Sequence, residues 1–289
     1  MSGGRPWPVW VDGALGEPGA PAIAAEDPGF LLGVAVFDTL LCEDGQLFFV
    51  EEHLERLRLG ARKIGVELAD EALLRRGLGE VARALDGRAA AVRITLTPGA
   101  PGRGPSMVIT TREWVPPPPE GVSVLLVERA KVPGQEIVAL KSTSRVRNVL
   151  ARRRAQARGA YEALLGTDDG DYAEGTVSNL FLARDGELQT PPLERGCLAG
   201  ILREKLIELA RADGIPLREA PVMREDLAAA DEVFLTNSLG RLIPVHTVLD
   251  LREDLPRGGG PLCRALRGAL EGLERERQAA DGTNPGLEG

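Results

Sequence analysis

Three residue settings in this chain could do chemistry. Lys141 closes the apolar run Val138-Ala139-Leu140 and is followed by Ser142-Thr143. An amine held at the edge of an apolar pocket is desolvated, which lowers its pKa and favours the neutral form that makes Schiff bases. A solvated lysine at a strand end fits the same residues. Arg56 stands in His53-Leu54-Glu55-Arg56-Leu57, where a guanidinium at the edge of an apolar helix face could grip a phosphate with two donors. A surface arginine on an amphipathic helix is the alternative. Glu174 opens Glu174-Gly175-Thr176-Val177-Ser178-Asn179-Leu180-Phe181, a carboxylate, a glycine turn and a buried strand that suit the wall of a site, or simply a turn. Further on, the loop from Gly196 runs into a helix near Ile201 and Leu202, whose first amides could hold an anion without a charged side chain. The turn Thr236-Asn237-Ser238-Leu239-Gly240 offers more small polar donors.

Other chemistries are excluded by what is missing. No GxGxxG follows a strand, no GxSxG elbow and no HExxH occurs, and Leu140 stands where a P-loop would place glycine. Two histidines, His53 and His246, leave no multi-histidine metal site, so no metal is expected. Cys42, Cys197 and Cys263 are too far apart for a CxxC pair, and an odd number suits a reducing compartment. The net charge of −8 argues against a general nucleic-acid binder. Apolar runs such as Leu31–Phe37 are too short to span a membrane, and Met1–Trp10 carries no leader-like apolar stretch. A soluble, cytoplasmic protein is expected.

The elements that must position these residues fall into two sets. At 289 residues the chain has the length of about two domains. Pro116-Pro117-Pro118-Pro119-Glu120-Gly121 cannot continue a helix or a central strand, so it marks a linker. The expected division is 1–115, the linker 116–121, 122–270, and a flexible tail over 271–289. In the first part Val9–Val11, Val36–Leu41, Gln46–Val50, Ala90–Thr97 and Ser106–Thr111 read as strands, with Glu43-Asp44-Gly45 as a hairpin turn. Leu54, Leu57, Ala61 and Ile64, then Leu74, Leu78, Val81 and Leu85, recur at helical spacing. The second part reads as strands near 122–127, 161–165, 178–183, 233–236 and 242–248. Helices over about 145–158 and from Leu202 to Gly214 cover them.

Taken in order, these pieces resemble the fold-type IV family of pyridoxal-phosphate enzymes, which holds branched-chain aminotransferases, D-amino-acid aminotransferases and 4-amino-4-deoxychorismate lyases. The resemblance runs from about Val9 to Val248. It rests on Gly29-Phe30-Leu31-Leu32-Gly33 with Val36-Phe37-Asp38-Thr39-Leu40, His53-Leu54-Glu55-Arg56-Leu57, and Lys141 with Asn148-Val149-Leu150-Ala151. Glu174-Gly175 with Ser178-Asn179-Leu180-Phe181, Leu198-Ala199-Gly200-Ile201, Asp231-Glu232-Val233-Phe234 and Pro244-Val245 complete it. It implies an α+β, two-domain fold-type IV enzyme: a smaller α/β N-terminal domain, and a larger β-rich C-terminal domain with covering helices that anchors pyridoxal 5'-phosphate. It implies Lys141 as the Schiff-base lysine and proton shuttle, and Glu174 as partner of the pyridine nitrogen. A carboxylate there keeps that nitrogen protonated and the ring a better electron sink. It further implies Arg56 on the phosphate, with the Ile201 and Leu202 amides, Asn237 and Ser238 completing the cup, and a homodimer acting on a small carboxylate or amine substrate.

Within that family the details lean to the lyase, an enzyme of folate biosynthesis that yields 4-aminobenzoate and pyruvate. Phe37-Asp38-Thr39 resembles its Phe-x-Thr pattern, which makes Phe37 and Thr39 expected substrate contacts. Arg93-Ile94-Thr95-Leu96-Thr97 with Gly99 and Gly102-Arg103-Gly104 resembles its strand and loop, with Arg103 on a substrate carboxylate. Thr236-Asn237-Ser238-Leu239 is similar to its phosphate turn. D-amino-acid enzymes usually carry Tyr where Phe37 stands and His where Pro105 stands, and branched-chain enzymes carry Tyr where Val146 stands. The departure is Gly33-Val34-Ala35, where many relatives read Gly-Asp-Gly. A class IV aminotransferase is the alternative. A non-catalytic binder on the same scaffold is a third, against which the joint presence of Lys141, Arg56 and Glu174 speaks.

Overall fold

A computed structural model describes residues 6–16, 19, 23–68, 70–131, 133–134 and 140–281. The chain divides into two compact units. The first holds the residues up to Val115, the short segment Lys141–Ser144, and the last helix from Arg275 onward. The second holds Pro116–Leu140 and Arg145–Glu274.

In the first unit six strands form one antiparallel sheet: β1 (Val9–Val11), β2 (Ala14–Gly16), β3 (Val36–Glu43), β4 (Gln46–Leu47), β5 (Ala90–Thr97) and β6 (Ser106–Glu113). Their order is β2-β1-β6-β5-β3-β4. A short helix α1 (Pro28–Leu31) precedes β3, and α2 (Val50–Lys63) and α3 (Glu71–Leu85) lie between β4 and β5. The strand expected over 46–50 is shorter than its sequence suggests. Phe49 takes a left-handed conformation, φ 56°, and α2 starts at the next residue.

Helix α3 forms as its pattern dictates. The Asp70 carboxylate accepts from the Leu73 amide at 2.7 Å and caps its start, and Leu74, Leu78, Val81 and Leu85 are buried along one side. Gly77 is where Trp10 lies against the helix: a Cβ there would stand 2.5 Å from Trp10 Cε2. The ring cannot retreat freely, because it is fully buried and its Nε1 donates to Glu80 at 3.1 Å. Alanine gains about 1 kcal/mol in helix propensity over glycine, whereas overpacking a buried ring costs roughly 1–3 kcal/mol. Gly77→Ala is therefore expected to destabilise this unit by about 1 kcal/mol. Urea unfolding followed by tryptophan fluorescence measures this, and a raised midpoint would refute it.

In the second unit eight strands run β7 (Val122–Lys131), β8 (Glu162–Thr167), β9 (Tyr172–Gly175), β10 (Asn179–Arg184), β11 (Glu187–Thr190), β12 (Leu217–Glu219), β13 (Glu232–Asn237) and β14 (Arg241–Val248). The sheet order is β12-β11-β10-β13-β14-β7-β8-β9, and β9 pairs again with β10, so six of the strands close on themselves. Val124, Leu164, Leu180, Leu182, Val233, Leu235, Ile243 and Val245 pack into one apolar cluster. Helix α4 (Val146–Ala157) seats Ala151 and Ala155 against Ala163 and Leu165 of β8. Helices α5 (Ile201–Ala212), α6 (Arg224–Ala229) and α7 (Pro261–Asp281) follow.

Two expectations about organisation are corrected. Lys141–Ser144 groups with the first unit rather than with 122–270, because it pairs with the start of β3. The Phe37 amide donates to the Lys141 carbonyl at 3.0 Å, the Thr143 amide to Ala35 at 2.9 Å, and Ser142 bridges Val36. The segment 271–281 is helix rather than tail. Its charges have partners: Arg241 Nε reaches both oxygens of the buried Glu274 at 3.0 and 2.9 Å, and Arg277 Nη1 donates to Glu52 at 2.7 Å. Of the run before Lys141, Val138 and Ala139 lie outside the described residues, as do positions 282–289.

Candidate functional site

In the first unit β3 alternates. Asp38 points to the side that α2 covers, while Phe37 and Thr39 point to the other. Asp38 is fully buried. Arg56 Nε donates to its Oδ2 at 2.8 Å and Arg56 Nη2 to its Oδ1 at 2.7 Å, while His53 Nδ1 lies 2.7 Å from Oδ1. The Thr39 amide donates to Oδ1 at 2.8 Å. Burial pushes the Asp38 carboxyl up, but Arg56 and then His53 outweigh it and hold the group well below the usual carboxylate range. Burial lowers His53, and Asp38 only partly offsets this, so the neutral imidazole is favoured. An ionised carboxylate only accepts, so the His53 proton is assigned to Nδ1. The result is an arginine oriented by two bonds, with 15% of its side chain exposed. Such a fixed fork suits a phosphate.

On the opposite side of β3, Lys141 Nζ lies 5.1 Å from the centroid of the Phe37 ring, and the Arg93 guanidinium lies 3.6 Å over the same ring. Lys141 is half-buried, so it is neither a freely solvated strand end nor a core residue. Thr39 and Arg93 are cross-strand partners, as are Phe37 and Thr95. One face thus gathers an amine, an aromatic ring, two hydroxyls and a guanidinium. Arg93 is the member that sequence reading left out of the site. Its signal was its place at alternate spacing with Thr95, but choosing the face required the register with β3. Arg103 is exposed in the loop 98–105, with its amide bonded to the Ala100 carbonyl at 2.9 Å. The residues in place of Gly-Asp-Gly still tie down the lysine segment, since the Gly33 carbonyl accepts from Thr143 Oγ1 at 2.9 Å and Ser144 Oγ at 3.0 Å.

In the second unit Glu174 sits in β9 rather than in a turn, and is buried. Lys131 Nζ donates to its Oε1 and to the Gly196 carbonyl, and the Leu198 amide donates to its Oε2 at 2.8 Å. Asn179 is the hub. It pairs with Glu174 across β9 and with Thr236 across β13, and its Nδ2 donates to the Leu198 carbonyl at 2.8 Å. Helix α5 begins immediately after, with Gly200 at its cap, no side chain capping it, and Ile201 and Leu202 in its first turn. A Cβ at Gly200 would overlap Asn179 Oδ1. The buried hydroxyl of Thr236 has no hydrogen-bond partner among the described residues. Asn237 Oδ1 accepts from the Leu239 and Gly240 amides at 3.0 and 2.7 Å, so this side chain shapes the turn that presents Ser238. An uncapped helix start, an unsatisfied buried hydroxyl and a polar turn are each of the kind that could hold an anion.

These residues fit the demands of pyridoxal phosphate. In the first unit Lys141 could supply an amine and Arg56 a guanidinium for a phosphate; in the second Glu174 could supply a buried carboxylate, and the α5 amides, Thr236 and Ser238 donors for an anion. Among the described residues no cluster of His, Cys, Asp and Glu could hold a metal, and no helix is long and apolar enough to cross a membrane.

The amino-transferase class IV family matches residues 35–248. The chain is 31% identical over 275 residues to a D-alanine aminotransferase of Bacillus licheniformis, covering 91% of this chain and 95% of that protein. It is 29% identical over 251 residues to an aminodeoxychorismate lyase of Bacillus subtilis, covering 82% and 85%. The structure of a hypothetical aminotransferase from Mycobacterium tuberculosis in its PLP-bound form superposes with a TM-score of 0.83 at 26% identity, covering 93% of this chain and 99% of that one. The chain belongs to the class IV amino-transferase family, pyridoxal-phosphate-dependent enzymes of fold type IV.

Proposed function

We propose that this enzyme is a lyase that converts 4-amino-4-deoxychorismate to 4-aminobenzoate and pyruvate. The observation that carries this reading is the flat, hydroxyl-free ring of Phe37 beside the Lys141 amine. That surface suits a substrate whose amine stands on a six-membered ring. Arg93 over the same ring offers a cation for a carboxylate remote from that amine.

Pyridoxal phosphate, when bound, acidifies the C–H of the carbon that bears the substrate amine. Lys141 Nζ takes that proton. The bond from the adjacent carbon to the enolpyruvyl oxygen then breaks, the ring becomes aromatic, and the enol gains a proton to become pyruvate. The two products carry all the atoms of the substrate. Arg56, held by Asp38, would offer its guanidinium to the phosphate, and in the second unit the Ile201 and Leu202 amides and Ser238 would offer further donors. Glu174 would hold the proton on the ring nitrogen, and Thr39 lies along the same strand face as Phe37. A homodimer as the working form is supported by the exposed Val146, Val149 and Leu150 on α4, which suit burial against a second copy, and the cytoplasm is its expected place. A monomer in sedimentation at working concentration would remove that part.

The test is to give the reconstituted enzyme 4-amino-4-deoxychorismate and follow pyruvate and 4-aminobenzoate, which should appear in equal amounts. Transfer of the amino group from D-alanine or L-leucine to 2-oxoglutarate, with no pyruvate from the ring substrate, would replace this reading by class IV transamination. The likeness to the D-alanine aminotransferase favours that second reading. Arg103, exposed in its loop, is expected to meet a substrate carboxylate. Arg103→Ala should then raise KM roughly tenfold, the worth of one charged hydrogen bond, with kcat nearly unchanged. An unaltered KM would remove Arg103 from the site.

A further inference from the structure

Lys131 is buried, 5% exposed, at the end of β7. The proposed chemistry gives it no task, yet the fold tolerates strain to aim it inward. The pairing of β7 with β8 is regular from Val124 to Val127, breaks, and resumes only at Lys131 opposite Thr167. Within the break Arg129 adopts φ 51°, a left-handed conformation that costs a non-glycine residue energy. Such bulges re-aim side chains. Here the ammonium is brought between the Glu174 carboxylate and the Gly196 carbonyl. With the Leu198 amide on the other oxygen, both oxygens of Glu174 are held from this side.

We propose that Lys131 is a positioning residue that tunes the cofactor: it fixes the Glu174 carboxylate in place and, by sharing its negative charge, limits how strongly that carboxylate draws a protonated ring nitrogen. This rests on the reading that Glu174 faces that nitrogen. The physical ground is competition for one buried anion. A fixed ammonium satisfies the carboxylate and repels a second cation beside it, so the ring keeps a weaker hold on its proton than Glu174 alone would give. Without the ammonium, the cations left to the buried carboxylate would be Arg145 and the ring N–H, and the preference for a protonated nitrogen would rise.

The experiment compares two ligands on the same full-length protein, stripped of cofactor: pyridoxal phosphate, and its analogue with C–H in place of the ring nitrogen. The quantity is the ratio of the analogue's Kd to that of pyridoxal phosphate. Lys131→Met and Lys131→Gln, which remove the charge and differ in hydrogen bonding, should both raise this ratio roughly tenfold over the unmodified protein. Lys131→Arg, which keeps the charge, should leave it within about threefold. Two neutral variants are used so that one that folds suffices. If the unmodified protein prefers pyridoxal phosphate but neither neutral variant changes the ratio, both ligands weakening alike, Lys131 serves packing only and the inference falls. If the unmodified protein shows no preference, the placement of Glu174 at the ring nitrogen falls, and this inference with it.

Discussion

Lys141→Ala should lower turnover roughly a thousandfold or more, because it removes both the amine that engages the cofactor and the group that carries the proton. The chain has four lysines, and the structure separates their roles. Lys63 is exposed at the end of α2, Lys205 pairs with Glu208 on α5, and Lys131 is buried on Glu174. Lys141 alone among them is half-buried beside an aromatic ring on a strand face with hydroxyls and a guanidinium. Its backbone holds that place through the Phe37 amide, a bond that alanine keeps, so the variant should fold normally. Two readouts check this. Pyruvate release, or amino transfer in the alternative reading, should vanish. Borohydride treatment of the loaded enzyme should leave the cofactor attached to the peptide containing Lys141 and to no other, and Lys141→Ala should carry none. A label on Lys63 or Lys205, or turnover that survives in the variant, would overturn the assignment.

The same contrast among lysines shows what the sequence made legible. Lys141 could be singled out because its neighbours are apolar on one side and small and polar on the other. Lys131 could not, because Glu128-Arg129-Ala130-Lys131 reads as a solvated strand end until a left-handed residue turns one side chain inward. Helix α3 was readable because its cap and buried stripe are local. Strand β9 was not. It is short, and its partners, β8 and a single residue of β10, define it by closure rather than by its own pattern. The charged stretch after Leu270 looked like fraying because what steadies Glu274 is Arg241, 33 residues earlier in the chain. Asp38 is the sharpest case. In Val36-Phe37-Asp38-Thr39-Leu40 the resemblance marks Phe37 and Thr39 as substrate contacts and gives Asp38 no task. The structure buries the aspartate completely, because His53 and Arg56, one helical turn apart on α2, converge on it.

Asp38→Asn should therefore cost far more than its size suggests, about 3–5 kcal/mol for breaking a buried ion pair. Asparagine keeps the shape but brings a donor where Arg56 and His53 already donate, leaving a guanidinium with one acceptor too few. Arg56 would then lose its fixed direction, so affinity for pyridoxal phosphate should fall along with stability. All three tryptophans, Trp7, Trp10 and Trp114, belong to the first unit, so urea unfolding by tryptophan fluorescence reports the unit that holds the ion pair. The pH dependence separates an electrostatic loss from a packing defect. The folded Asp38 is held far below the usual carboxylate range, so its contribution is complete above the unfolded value of about 3.9 and declines steadily as pH falls below that value towards the folded one. The stability gap between the native protein and Asp38→Asn should not narrow between pH 7 and about 5, where Asp38 is ionised and favours the protonated form of His53, and should then narrow by about 1.4 kcal/mol per pH unit below roughly 3.9. A gap that stays fixed down to pH 3 would mean that the substitution disturbs packing, and that Arg56 is not held by charge.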